Sequence, residues 1–432
     1  MSHRILVASL LAIAGLVVPS TASAAVERDG NAFFPKNGAE LLEAVELSAD
    51  GPDRGLQARI ALEAKTYVID RTIDLRDLDG DVIRGPEAGG AVITGTAQSG
   101  TLLTLEGETN RVEHVVFRAP ATTRSYALIE LVGRGLLDAA VDVPAPAPNV
   151  TGVRTTGPRL FGWNNTILAP VASAAASAPA VRATGSLRID APIRGGSTTV
   201  DIDQAAANGL DEEIWIRADL TGGPQTSTVL RARTGVALNL ILHRATVTAT
   251  RSGATVVDLQ GASAAAGRLR TWLLTSTLVG PADGTGLEVG PGVGSEPSKV
   301  DAVGLLSIGS ARAIACSPGT GPVSVVAVDA IYREGVLAPS SSCTLSEQRR
   351  VTGDPKFADR ERGDLAPRWG SVLIDAAPTV RWGEFPLTSY DKPRVLPNYG
   401  ADTTLPNDIG AAEYQYTEPV FGAESFVALD NR

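Results

Sequence analysis

The chain has 432 residues, 44% of them hydrophobic, yet aromatics make up only 5% and Met occurs once. A core built from Ala, Val, Leu, Gly and Thr suits thin, repeated layers better than one bulky centre. The formal net charge of -10 argues against nucleic acid and anionic polymers as partners, because an acidic surface releases no condensed counterions from them.

The chain opens with Arg4, an apolar run of 14 residues from Ile5 to Val18, and the small residues "STASAA". This pattern predicts a secretory signal over 1–24, cleaved after Ala24. The run is shorter than the roughly 20 residues a spanning helix needs. No later stretch reads as a transmembrane segment. The expected location is therefore extracellular or on the cell surface.

Residues 25–58 read as an N-terminal cap. "NGAELLEAVELSA" at 37–49 predicts a short amphipathic helix with Leu41, Leu42, Val45 and Leu47 on one face, placed to plug the first coil. "ALEAKTYVIDRTIDL" then leads into a repeat.

The repeat occupies 59–345. "TLLTLEG" (101–107), "ALIELVG" (127–133) and "TVVDLQG" (255–261) share one pattern. Gly107 to Gly133 is 26 residues, Gly133 to Gly185 is 52 with Gly157 between, and Gly235 to Gly261 is 26. Leu103 and Leu105 alternate with Thr104 and Glu106, and Ile129 and Leu131 flank Glu130. Period-two alternation closed by Gly is a half-buried strand followed by a turn. A second strand series lies between, as in "LNLILHRATVTA" (238–249) and "RTWLLTSTLVG" (270–280). A period near 26 residues is a solenoid signature. It is too short for propeller blades and lacks the fixed Leu and Asn offsets of leucine-rich repeats. The predicted fold is all-β: a single-stranded parallel β-helix of about eleven coils. A capping module with irregular, Pro-, Asp- and Trp-rich sequence fills 346–416, and 417–432 is a tail.

Cys316 and Cys343 are the only cysteines. In an exported chain they are expected to form a disulfide.

"KTYVID" followed by Gly-punctuated coils resembles the right-handed parallel β-helix proteins of the pectate-lyase-like superfamily. "DPKF", "GDLAPRWGSVLIDAA", "KPRV" and "NDIGAAEYQ" resemble the C-terminal module of secreted bacterial β-helix proteins of the choice-of-anchor Q type. The matching positions include Asp354, Pro355, Phe357, Gly363, Asp364, Ser371, Asp375, Arg394, Asp408, Ile409, Gly410 and Glu413. Val372 and Leu373 depart from the pattern's Pro-Ala, and Ala377 from its Gly. The resemblance implies a right-handed coil and a secreted or surface-held protein. It also implies the superfamily's chemistries: paired carboxylates on adjacent coils, or calcium held by carboxylates beside an arginine base.

The residues supply no catalytic motif: no H-E-x-x-H, P-loop or G-x-S-x-G is present. With two Cys and, past the signal, only His114 and His243, no zinc centre is expected. Three residues before the anchoring glycines stand Thr104, Glu130, Arg182 and Asp258. Glu130 and Asp258 lie about five coils apart, some 24 Å at 4.8 Å per coil, too far to share a bond. Asp201 and Asp203, an i, i+2 pair, and nearby Asp211 are the candidate catalytic carboxylates. Trp163, Trp215 and Trp272, near strand ends, are the candidate sugar-binding aromatics. His243, Arg244 and Arg251 could serve a lyase but read better as an exposed face. No cofactor is expected beyond a structural or ligand-bridging calcium ion. The expected function is a non-catalytic scaffold whose rigid face binds an extracellular polysaccharide or envelope component. A polysaccharide lyase or glycoside hydrolase, and a protein-binding adhesin, are the alternatives.

Overall fold

The computed structural model describes residues 25–50, 58–75, 80–107, 109–157, 165–204, 212–235, 237–261, 268–292, 297–374, 376–377 and 408–411. The expected signal, Trp163, Asp211 and most of 378–432 lie outside them.

The chain is a parallel β-solenoid of about ten turns. Two sheets form its walls, with 22 and 11 strands among the described residues. A central coil contributes three strands: Ala237–His243 and Thr246–Thr248 to the larger sheet, and Thr255–Gly261 to the smaller. Each pairs in parallel with its counterpart in the next coil, Arg268–Leu274, Thr277–Val279 and Thr285–Val289. The alternation in "LLTLEG" now has a direction. Leu105 stacks through Leu131, Thr155, Ala183, Ile202, Ala232, Leu259 and Val289 to Cys316, one inward column in which every side chain is buried.

The coil-to-coil step along that column is uneven. It is 26 residues from Leu105 to Leu131, only 19 from Ala183 to Ile202, and 30 from Ile202 to Ala232. The mean from Leu105 to Cys316 is about 26, in line with the spacing of the glycines. Turns absorb the differences, since strand registry fixes everything else. Gly107, Gly133 and Gly157 have φ of 89°, 71° and 86°, the left-handed conformation that makes Gly the natural corner residue there.

The start of the solenoid is covered. The helix α1 (Gly38–Asp50) packs on the strands Thr66–Ile69 and Ile73–Leu75 and buries Leu41, Leu42, Ala44 and Val45. Leu47, expected on the same face, is exposed. Asn37 caps the helix: its Oδ1 accepts from the Glu40 amide at 3.0 Å, and Glu40 Oε2 accepts from the Lys36 amide at 2.8 Å. No helix among the described residues is long and apolar enough to cross a membrane.

At the other end, Cys316 and Cys343 form the expected disulfide. It joins the end of a smaller-sheet strand, Arg312–Cys316, to the start of the last larger-sheet strand, Cys343–Val351. Residues 371–374, 376–377 and 408–411 lie along the flank. Leu373, Ala377 and Ile409 pack on outward-facing Leu306, Ile308 and Ala330. The Gly410 amide donates to the Gly304 carbonyl at 2.9 Å, and the Ala411 amide to Thr277 Oγ1 at 2.8 Å. So the "DIGA" stretch at 408–411 straps the side wall.

Two tests follow from this arrangement. Replacing Cys316 and Cys343 by Ser removes a cross-link spanning 27 residues and lowers stability by about 3 kcal/mol, read by denaturant melts of the oxidised protein and the double variant. Gly304→Ala places a Cβ 2.8 Å from the Ala377 Cβ at a residue with φ 68°. That variant is expected to lose about 1–3 kcal/mol, with faster amide exchange at Ile409 and Gly410, whereas unchanged exchange would show that the strap is not held at Gly304.

Candidate functional site

Two outward faces carry the chemistry-bearing residues. On the smaller sheet one outward column runs, coil by coil, Thr104, Glu130, Arg154, Arg182, Asp201, Arg231, Asp258, Glu288 and Ala315. Glu130 and Asp258 are five coils apart, as the glycine spacing indicated. The positions between them, however, are all charged, and three of the four are arginines, which the spacing hid.

Most of this column is paired within itself. Arg154 meets Glu130 at 2.9 Å, and Arg182 meets Asp201 at 3.1 Å. Arg233, one position along on the next coil, stands 3.9 Å from Asp201 and 3.6 Å from Asp203. Asp201 and Asp203 therefore do share one face, and one guanidinium serves both. Asp201 is 4% exposed and lies among arginines, so its carboxylate is committed to them. Ion pairs at a partly exposed surface contribute at most about 1 kcal/mol each.

Like charges meet at two steps: Arg154 with Arg182, each of which has a carboxylate on its other side, and a carboxylate pair at the far end. Asp258 and Glu288 are in register on adjacent coils, so two carboxylates are neighbours at about 4.8 Å backbone spacing. Glu288 Oε1 accepts from Ser317 Oγ at 2.5 Å and Asp258 Oδ2 from Gln260 Nε2 at 2.8 Å. Arg231 stands off at 3.8 Å. Burial, and then the Glu288 charge, push the Asp258 carboxyl up to about 6. Asp258 therefore holds its proton below about pH 6, some two units above an ordinary Asp, and loses it towards neutral pH. Glu288 escaped the glycine alignment for a simple reason: Gly261 follows Asp258 by three residues, whereas Gly290 follows Glu288 by two.

On the larger sheet the outward column Arg188, Trp215, Ile241, Trp272, Asp301 brings two of the three candidate tryptophans within two coils of each other. Each ring is 7% exposed and packs in a cluster with Ile241 and Leu274, flanked by Val303. A ring that stacks on sugar offers a face to solvent; these rings face their neighbours. Arg217 lies over the Trp215 ring at 5.6 Å. His243 is in the adjacent column, on the coil between those of Trp215 and Trp272. Burial, then the charges of Arg217 and Arg244, pull it down to about 3, so the imidazole is neutral at ordinary pH. Arg251 lies away from this face and donates to the Gln225 carbonyl at 3.2 Å.

No group of three or more His, Cys, Asp or Glu side chains among the described residues is arranged to hold a metal ion. Compared with known proteins, the chain matches no family model, no curated protein and no solved structure.

The carboxylate pair gives a pH signature. Asp258 titrates near 3.8 when unfolded and near 6 when folded, so between these values the folded state holds more protons and stability falls as pH rises. Asp258→Asn removes that fall. The variant is expected to gain up to about 3 kcal/mol over the wild type between pH 4 and pH 7, measured as the difference between their urea-unfolding free energies at the two pH values. Parallel curves for the two proteins would show that Asp258 is ionised normally.

Proposed function

We propose that this protein is a secreted or cell-surface β-solenoid scaffold that presents a rigid, non-catalytic face to extracellular glycan or envelope components. The observation that supports this reading best is the charge column. Glu130, Asp201 and Asp203 on this wall are held by arginines of neighbouring coils rather than gathered around a cleft. Such a wall is stiff and carries both signs of charge. It suits a long ligand bound through many weak contacts along the coils. In the same reading the coil is right-handed and belongs with the pectate-lyase-like β-helices. The flank strap at 371–377 and 408–411 is part of a module of the choice-of-anchor Q type, and its packing on Leu306 and Ile308 fits a folded module rather than a loose tail.

A second reading has one specific observation in its favour. Asp258 and Glu288, adjacent and in register with one carboxyl raised to about 6, have the form of an acid and base for glycosidic cleavage. One experiment separates the two. Purified protein and its Asp258→Asn and Glu288→Gln variants are incubated with a panel of neutral and acidic polysaccharides, with retention and new reducing or unsaturated ends both recorded. The scaffold reading expects retention without cleavage, unchanged in the variants. Turnover that falls by 100-fold or more in either variant would establish the enzyme.

A further inference from the structure

A shallow cleft of about 260 Å³ opens where the first coils turn a corner of the larger sheet. Its lining includes Gly89, Gly90, His114, Val116, Asp138 and Ala140. The backbone at this place is unusual. Glu113 pairs with Asp138 and Val116 with Ala140, so His114 and Val115 oppose the single residue Ala139. This is a β-bulge, a feature that re-aims side chains and is rare between parallel strands. His114 occupies it with φ 55°, a conformation that glycine adopts without strain and that Gly90 adopts at the neighbouring position of the preceding coil. A histidine kept where glycine would relieve strain points to a role for its side chain.

The side chains fit that inference. His114 is exposed, and Asp138 is half-buried on the coil above. No hydrogen bond or ion pair among the described residues ties down either side chain. Glu113, by contrast, is held by Arg84 at 3.7 Å and Arg111 at 3.8 Å. The rest of the lining is small and apolar, made by Gly89, Gly90, Val115, Val116, Ala140 and Ala169. A carboxylate that accepts two hydrogen bonds, an imidazole that both donates and accepts, and an apolar lining match the hydroxyl edges and C–H face of a sugar ring. An uncompensated carboxylate disfavours uronates and phosphates. The volume is below the roughly 300–1,000 Å³ of a pocket that encloses a whole small ligand, so the cleft takes one ring of a longer chain.

The geometry points to a binding subsite for one neutral sugar residue of an oligosaccharide, with Asp138 and His114 as its polar contacts; this rests on the glycan-binding reading above. The test measures binding of neutral hexasaccharides of glucose, mannose and N-acetylglucosamine, and of hexagalacturonate, by calorimetry. The proteins are the wild type, Asp138→Asn, Ala140→Leu, which fills the cleft, and His114→Gly. Binding of a neutral hexasaccharide that weakens tenfold or more in all three variants is expected. His114→Gly should at the same time melt no lower than the wild type, because glycine removes backbone strain, so its lost binding is not lost folding. Unchanged binding in Asp138→Asn and Ala140→Leu would overturn the subsite and leave the glycan reading standing. Binding of hexagalacturonate alone would overturn the assignment to neutral sugars. No binding of any of the four would overturn both the subsite and the glycan reading.

Discussion

In-register stacking of parallel strands is the constraint on which this structure depends. It makes the residue one coil away the closest outward neighbour of every side chain, at about 4.8 Å in the backbone. Inside, the rule demands columns of compatible shape, and the chain supplies Leu105, Leu131, Ile202, Leu259 and Val289. Outside, it demands compatible charge. Glu130 against Arg154, Arg182 against Asp201, and Arg231 between Asp201 and Asp258 satisfy it. Arg154 against Arg182 and Asp258 against Glu288 break it, and at the second step burial, and then the Glu288 charge, raise the Asp258 carboxyl.

The same constraint explains what could be read from the sequence. Alternation in "LLTLEG" and "LIELVG" and the glycines at 107, 133, 157 and 185 disclose strands, a short period and hence a solenoid, because inward columns need the same pattern in every coil. Outward columns need no pattern, only a partner, so they carry no signal without the exact register. The 19-residue step to Ile202 and the 30-residue step beyond it slide the glycines out of line. Gly261 pairs with Thr234 rather than Gly235, which shows how a one-residue offset defeats alignment on turns. Asp201 and Asp203 could be recognised as a pair because they share a strand. Glu288 could not be placed beside Asp258, nor Trp215 two coils from Trp272, because those meetings exist only between coils.

The two ends solve the edge problem in different ways. A solenoid ends in unpaired backbone groups that invite another strand. At the start, α1 lies over the first coils with Leu41 and Leu42 against the interior. At the finish, the last long strand, Cys343–Val351, carries Glu347, Arg349 and Arg350, and charged side chains make an edge unattractive to a partner. The disulfide holds the start of that strand to the coil below. The strap formed by Leu373, Ala377 and Ile409 covers the outward residues Leu306 and Ile308. Its place on the flank makes physical sense, since those two apolar side chains point outward and the strap buries them.

Corner geometry ties these observations together. Arg244, Thr275 and Gly304 hold the same corner position in three successive coils, with φ of 53°, 42° and 68°. Only the last is a residue suited to it, so stacking imposes the conformation and the residues comply. His114 is a different case. Gly90 in the coil before it shares the left-handed corner, but Ala139 in the coil after it does not, and the mismatch of one residue is taken up as the bulge. Strain at Arg244 and Thr275 is therefore a consequence of a repeated corner. At His114 it sits where the repeat changes, beside the cleft that the change opens.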